Sequence, residues 1–178
     1  NEYLHMNYLK SGSLFEAAAA LGGIAATNKP EDVDKLAKFG KYFGNAYQIR
    51  DDIIDAFTPK GYEKSPNNDL LNGDPSLLLL YAVDSDKITA EDKAALLSVY
   101  QGESKDLDVD LIHRIYKYTG SLQKSIDKME EFANLAGEIL KDYPDCDARS
   151  SLLELLDQYN HNFTENLESI ASHQNQSH

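Results

Sequence analysis

Basic residues are scarce in this chain. Lys and Arg number 17 against 30 Asp and Glu, a formal net charge of −13, and no patch of five or more basic residues occurs. That deficit argues against a nucleic-acid or anionic-membrane partner. It leaves phosphate ligands open, because a bound cation inverts the local sign of a site. Cysteine is almost missing as well. Cys146, the only one, excludes an internal disulfide and suits a reducing compartment; between Asp145 and Asp147 it reads as a plain surface thiol. No apolar run approaches the ~20 residues that cross a bilayer, and Ala17–Ala26 and Leu77–Val83 are short enough to be buried helix. No secretory signal is seen, so a cytoplasmic protein is expected, although the chain starts at Asn1 rather than Met. The histidines His5, His113, His161, His173 and His178 form no His-x-x-x-His pair and adjoin no aspartate cluster, which disfavours zinc. No segment alternates at period two for long enough to be a strand, and no repeat or linker divides the chain.

What is present is helical spacing throughout, so the expected fold class is all-α in one domain over residues 1–170, with a polar tail over 171–178. Ser13-Leu14-Phe15-Glu16 has the spacing of a capping box ahead of an Ala-rich helix. Gly22-Gly23 marks either a close helix crossing or the exit toward Asn28-Lys29-Pro30. The next helix is expected from about Glu31 to Phe57, on apolar residues three and four apart. Thr58–Pro75 is a polar connection longer than compact domains usually use. Further helices are expected over Pro75–Val83, from a Thr89 cap through Tyr100, over Leu107–Tyr118, over Ser121–Leu140 and near Ala148–Ile170.

The densest chemistry lies in Gln48-Ile49-Arg50-Asp51-Asp52-Ile53-Ile54-Asp55-Ala56-Phe57. On a helix, Asp51 and Asp55 are four apart and Asp52 and Asp55 three apart, so the carboxylates can face one cleft. Mutual repulsion and desolvation in an apolar stretch call for a positive partner. Oxygen ligation of this kind suits Mg²⁺, with substrate phosphate completing the shell, and no EF-hand loop surrounds it. The bland alternative is a solvated acidic face paired with Arg50 or a distant lysine. Lys10, beside Ser11 and Ser13 and ahead of a capped helix, is either an anion seat or a surface lysine.

Together these segments resemble the trans-isoprenyl diphosphate synthase family, the makers of farnesyl, geranylgeranyl and longer polyprenyl diphosphates, and specifically its C-terminal half. Tyr3-Leu4 and Lys10-Ser11-Gly12-Ser13-Leu14-Phe15-Glu16-Ala17-Ala18 are similar to the family's Lys-Thr segment. Phe43–Asp55 resembles its second aspartate-rich motif, and Asn68–Leu77 the loop that follows. Thr119-Gly120-Ser121-Leu122 and Leu152–Tyr159 also fit. The resemblance implies part of a helical-bundle isoprenoid synthase fold. It implies that Asp51, Asp52 and Asp55 hold Mg²⁺ bridging to an allylic diphosphate, that Lys10 contacts that diphosphate, and that Gln48 lines the cleft near the reacting carbons. The reaction implied is condensation of an allylic isoprenyl diphosphate with isopentenyl diphosphate.

Two departures stand out. There is no second Asp-Asp-x-x-Asp motif, so the other aspartate-rich motif and the basic residues for isopentenyl diphosphate are expected on a missing N-terminal half or a partner subunit, in a homo- or hetero-oligomer. Lysines usual in the loop are replaced by Asn68 and Asp74, which leaves Lys60 and Lys64 as the loop's candidate diphosphate contacts. Ser11 stands where threonine is usual. These changes keep a second reading open, a non-catalytic regulatory or dimerisation subunit of a prenyltransferase; a third is a helical interaction domain whose acidic turn does nothing. A half-bundle is further expected to expose apolar surface along the helices containing Ala17–Ala26 and Tyr42–Phe57.

Overall fold

Every regular element in the computed structural model, which describes residues 2–27, 29–57, 66–104 and 106–157, is helical. The elements are α1 (Glu2–Asn7), a π-helical turn (Tyr8–Gly12), α2 (Ser13–Ala26), α3 (Pro30–Phe57), α4 (Asn68–Asn72), α5 (Leu77–Val83), α6 (Ala90–Tyr100), α7 (Val109–Tyr118) and α8 (Ser121–Leu140). A last helical stretch occupies 147–157. The rest of the helix expected to Ile170, the tail after it, and Lys60 and Lys64 lie outside the described residues. Among the described residues no helix is long and apolar enough to cross a membrane.

The chain forms two compact units. One holds the chain up to Gln48 together with the chain from Lys128 onward; the other holds Ile49–Asp127. In the first, α2 lies against α3 through glycines. A Cβ on Gly40 would sit 2.2 Å from the Phe15 carbonyl oxygen, and one on Gly44 would sit 2.8 Å from Gly12 Cα. Backbones can meet this closely only where no side chain intervenes. Phe15 fills the crossing, edge-on to Phe43 at 5.1 Å and tilted on Tyr47 at 5.3 Å. Gly23 marks a second close contact, since its Cβ would lie 3.2 Å from Val33 Cα, whereas Gly22 faces open space. Of the two readings of this glycine pair, the close crossing holds, and the helix runs on to Ala26.

Ser13 is not a cap. The chain before it is already helical, so its amide is engaged and its hydroxyl donates back to the Leu9 carbonyl at 3.3 Å. Glu16, expected to reach the cap amide, instead accepts a hydrogen bond from the Tyr8 hydroxyl, and this holds the Tyr8 phenol above its ordinary pKa. Pro30, by contrast, opens α3 where a missing N–H costs nothing.

In the second unit, α5 buries Leu77, Leu78, Leu79 and Ala82, α6 buries Leu96 and Val99, and α7 buries Ile112, Ile115 and Tyr116. Ser76, Thr89 and Asp108 cap α5, α6 and α7, each accepting from the backbone amide three residues on. Thr89 is the cap that the sequence predicts. The turn from α7 to α8 uses Gly120 at φ 77°, a backbone setting that a side chain would strain. Around it the buried Thr119 and Ser121 hydroxyls donate to the Ile115 and Tyr116 carbonyls at 2.6 and 3.2 Å.

Candidate active-site wall

The acidic turn lies in the last three turns of α3, an unbroken helix of 28 residues. Ile49, Ile53, Ala56 and Phe57 anchor it in the core. The three carboxylates do not share one environment. Asp51 is exposed, Asp52 is buried at 6% relative exposure, and Asp55 is half-buried. Asp55 is fixed by the segment that follows: its Oδ1 accepts from Asn68 Nδ2 at 3.1 Å and its Oδ2 from the Asp69 amide at 3.0 Å. Among the described residues no three His, Cys, Asp or Glu side chains converge closely enough to hold a metal ion by themselves.

The support of this turn comes from residues that the sequence did not single out. Asn67 takes the left-handed conformation at φ 61°, which Asn tolerates better than most residues. From there its amide donates to the Asp55 carbonyl at 2.8 Å and its side chain to the Ala56 carbonyl at 3.2 Å. His113 Nε2 meets the same Ala56 oxygen at 2.7 Å, and its ring stacks on Phe57 at 4.5 Å. Tyr116 is buried nearby. Desolvation, then the charges of Asp55 and Asp69, push its phenol far above its ordinary pKa. The polar connection after α3 thus carries a short helix, α4, whose side chains and amides hold the last aspartate in place. The Asn67-Asn68 pair before an apolar Leu-Leu was the available signal, since Asn favours left-handed entry positions.

The other candidates fall as follows. Gln48 is buried on α3, and its Oε1 accepts from Ser11 Oγ at 2.5 Å. Lys10 is exposed on the π-helical turn. Lys10 does not stand ahead of a free helix N-terminus, because the helix is continuous there and its amides are engaged. What remains is a lysine on a π-helical insertion, a feature that tends to occur at functional positions. Ser11 follows it in the same turn and reaches Gln48. Asp74 is exposed just past α4, where Gly73 adopts φ 74°. Gln48 precedes Asp51 and Asp52 by one turn of the same helix.

Comparison with known proteins identifies the family. The polyprenyl synthetase family model matches residues 1–119. The octaprenyl diphosphate synthase of Escherichia coli is 32% identical over 157 residues, 86% of this chain and 47% of that protein. The geranylfarnesyl diphosphate synthase of Aeropyrum pernix is 32% identical over 160 residues, 89% of this chain and 49% of that one. The crystal structure of a geranylgeranyl pyrophosphate synthase from Corynebacterium glutamicum, complexed with calcium and isoprenyl diphosphate, superimposes with a TM-score of 0.76 at 29% identity, over 90% of this chain and 50% of that one. The chain therefore spans about half the length of the curated relatives it matches. Its all-α arrangement is a partial version of the isoprenoid synthase bundle, and the chain belongs to the polyprenyl synthetase family.

Proposed function

We propose that this chain is the C-terminal part of an isoprenyl diphosphate synthase and supplies the second aspartate-rich wall of its active site. The reaction is the chain-elongating condensation of an allylic isoprenyl diphosphate with isopentenyl diphosphate. The observation that carries the reading is the spacing of Asp51, Asp52 and Asp55 along one turn of α3, with Asp55 held by Asn68 and the Asp69 amide. Each Asp55 oxygen so held keeps lone-pair capacity, since an ionised carboxylate has about four acceptor sites.

The donor set fits Mg²⁺. A hard cation takes oxygen ligands, keeps several waters and uses one or two carboxylates plus substrate phosphate, so a turn without a closed three-ligand cage is compatible with it. Asp51 and Asp52 are the nearest candidates to hold it, with Asp55 completing the acidic face. When bound, the cation neutralises charge that builds on the departing diphosphate oxygen. The family resemblance supports Lys10, exposed on its turn, as a contact to the diphosphate; Lys60 and Lys64, outside the described residues, are proposed as further contacts on the sequence alone. The family resemblance gives Gln48, whose side chain accepts from Ser11, a place near the reacting carbons. The apolar helices exclude water from an allylic cation.

A second reading, a non-catalytic regulatory or dimerisation subunit, is favoured by two observations. Asp74 places negative charge in the loop, and Asn68 supplies a neutral amide to Asp55 where the family pattern has a lysine. Titration calorimetry with farnesyl diphosphate decides the matter. Binding that requires Mg²⁺, vanishes with EDTA and is lost on replacing Asp51 and Asp52 by Ala is the expected result. No binding, or binding indifferent to both substitutions, sinks the metal–diphosphate reading. Binding with no turnover in the presence of a completing half favours the regulatory subunit.

A further inference from the structure

Asn7, Ser11, Phe15, Ala19 and Gly23 stand four residues apart, and each meets α3. Gly23 lies against Val33 and Leu36, Ala19 against Gly40, Phe15 against Phe43, Ser11 against Gln48 and Asn7 against Asn45. An α-helix turns by about 400° over four residues, so such a row drifts by about 40° at each step and soon leaves the facing surface. The π-helical turn over Tyr8–Gly12 holds more residues per turn and takes part of that drift back. It keeps Asn7 and Ser11 in line with Phe15. Such turns are rare and concentrate at functional positions, and here tertiary contacts impose one.

Those contacts are polar and buried. Asn7 is 0% and Asn45 3% exposed. Asn7 Nδ2 donates to the Asn45 backbone carbonyl at 3.3 Å and lies 3.4 Å from its Oδ1, while Asn45 Nδ2 donates to the Lys41 carbonyl at 2.9 Å. Four residues on, Ser11 donates to Gln48. Between the two, the Tyr8 ring lies under the Lys41 ammonium at 5.0 Å, and a Cβ on Gly12 would come within 3.0 Å of that ring. Among the described residues no donor reaches Asn7 Oδ1. A buried amide pair with an unmet acceptor is poorer for stability than two apolar side chains of the same shape. Stability alone does not account for Asn at these two positions.

We infer that Asn7 and Asn45 are positioning residues: their buried bond sets the π-helical turn, and the turn fixes where Lys10 and Ser11 stand and, through Ser11, how the Gln48 amide is turned. This role rests on the reading of Lys10 and Gln48 as part of the diphosphate site, and it adds two residues that act only through their neighbours. A single buried Asn fixes register in coiled coils at a cost in stability, and the pair does the same for this turn. Lys10 is exposed on the turn, so its direction follows the pitch that the pair imposes.

The test replaces both amides at once, Asn7→Leu with Asn45→Leu, in the full 178-residue chain. Leu is close to Asn in shape and the double variant strands no buried amide, so its urea midpoint should equal or exceed the parent's. Asn45→Leu alone leaves the Asn7 amide short of a partner and should lower the midpoint. Hydrogen exchange over residues 8–13, read by mass spectrometry, should nevertheless be at least about tenfold faster in the double variant, with the rest of α2 and α3 unchanged. Mg²⁺-dependent farnesyl diphosphate binding should weaken by about 10–100-fold, as when the outer partners of metal ligands are removed, although every residue proposed to touch diphosphate or metal is intact. Exchange at the turn that matches the parent's overturns the inference. So does a fall in midpoint large enough to account for the faster exchange and the weaker binding, since that is a structural role alone. Binding by the double variant equal to the parent's overturns it as well. A parent chain that binds no farnesyl diphosphate removes the functional reading, and with it the purpose of the pair; exchange over residues 8–13 then still decides whether the pair sets the turn.

Discussion

Gly40→Ala and Gly22→Ala are the same chemical change in neighbouring helices of one unit, and the structure assigns them opposite signs. In a helix open to solvent the change stabilises by about 1 kcal/mol, because Gly gives up more backbone freedom than Ala. Gly22 meets this condition, with nothing within 4 Å of an added Cβ. At Gly40 the Cβ would lie 2.2 Å from Phe15 O, 2.7 Å from Phe15 C and 2.9 Å from the Ala19 Cβ. Two of these are backbone atoms, which cannot rotate away as a side chain can. Carbon contacts are comfortable at about 3.5–4.0 Å, so α2 and α3 must separate by on the order of 1 Å. Separation loosens Phe15 from Phe43 and Tyr47, a cluster whose aromatic pairs contribute about 0.5–1.5 kcal/mol each beyond their buried area. Overpacking of a filled site costs about 1–3 kcal/mol, occasionally more. With the loss of both aromatic pairs added and the helical gain of about 1 kcal/mol subtracted, Gly40→Ala should destabilise by about 1–5 kcal/mol, some 2–6 kcal/mol below Gly22→Ala. Urea unfolding followed by far-UV circular dichroism reads this as a lower midpoint for one variant and a higher one for the other, with similar slopes. Equal midpoints for the two variants would refute the glycine crossing.

Two further outcomes follow from the second unit. Tyr116 has its pKa raised in the fold, so above about pH 10 the unfolded chain gives up a phenolic proton that the folded chain keeps. The unfolded state then binds fewer protons, and stability contributed by this group, constant below pH 10, falls by up to about 1.4 kcal/mol per pH unit above it. Tyr116→Phe should flatten the alkaline loss by that slope, and identical pH profiles for the two proteins would show the burial argument to be wrong. Asn67→Ala should destabilise by about 2–3 kcal/mol, through the left-handed backbone and the lost bond to Ala56. Asn67→Gly, relieved of the backbone cost, should lose about half as much; a Gly variant no better than the Ala variant would remove strain from the account.

Much of this architecture could be read from residue order. The bounds of α8 were met at both ends, α3 within one residue, and the Thr89 cap outright, because each rests on local signals: a stripe, a first-turn proline, a hydroxyl three residues before an amide. The capping box at Ser13 misled for a physical reason. Ser-x-x-Glu caps only where the preceding chain is non-helical, and α1 with its π-helical turn removes that condition. The connection after α3 shows no helix in the sequence because α4, five residues long, is too short to show a period.

For the site, the sequence alone determined which residue types share a helical turn, since the spacing of Asp51, Asp52 and Asp55 follows from 3.6 residues per turn. It also carried the family, through motifs in a fixed order. Tertiary structure decided how those carboxylates differ: one open to solvent, one buried, one held by the Asn68 side chain and the Asp69 amide. It decided that Ser11 binds Gln48, across 37 residues of chain. It decided as well that the apolar helix left uncovered is α2, with Leu14, Leu21 and Ile24 exposed, and not α3. Burial and long-range hydrogen bonds depend on what packs against a residue, and periodicity along one helix has no term for that.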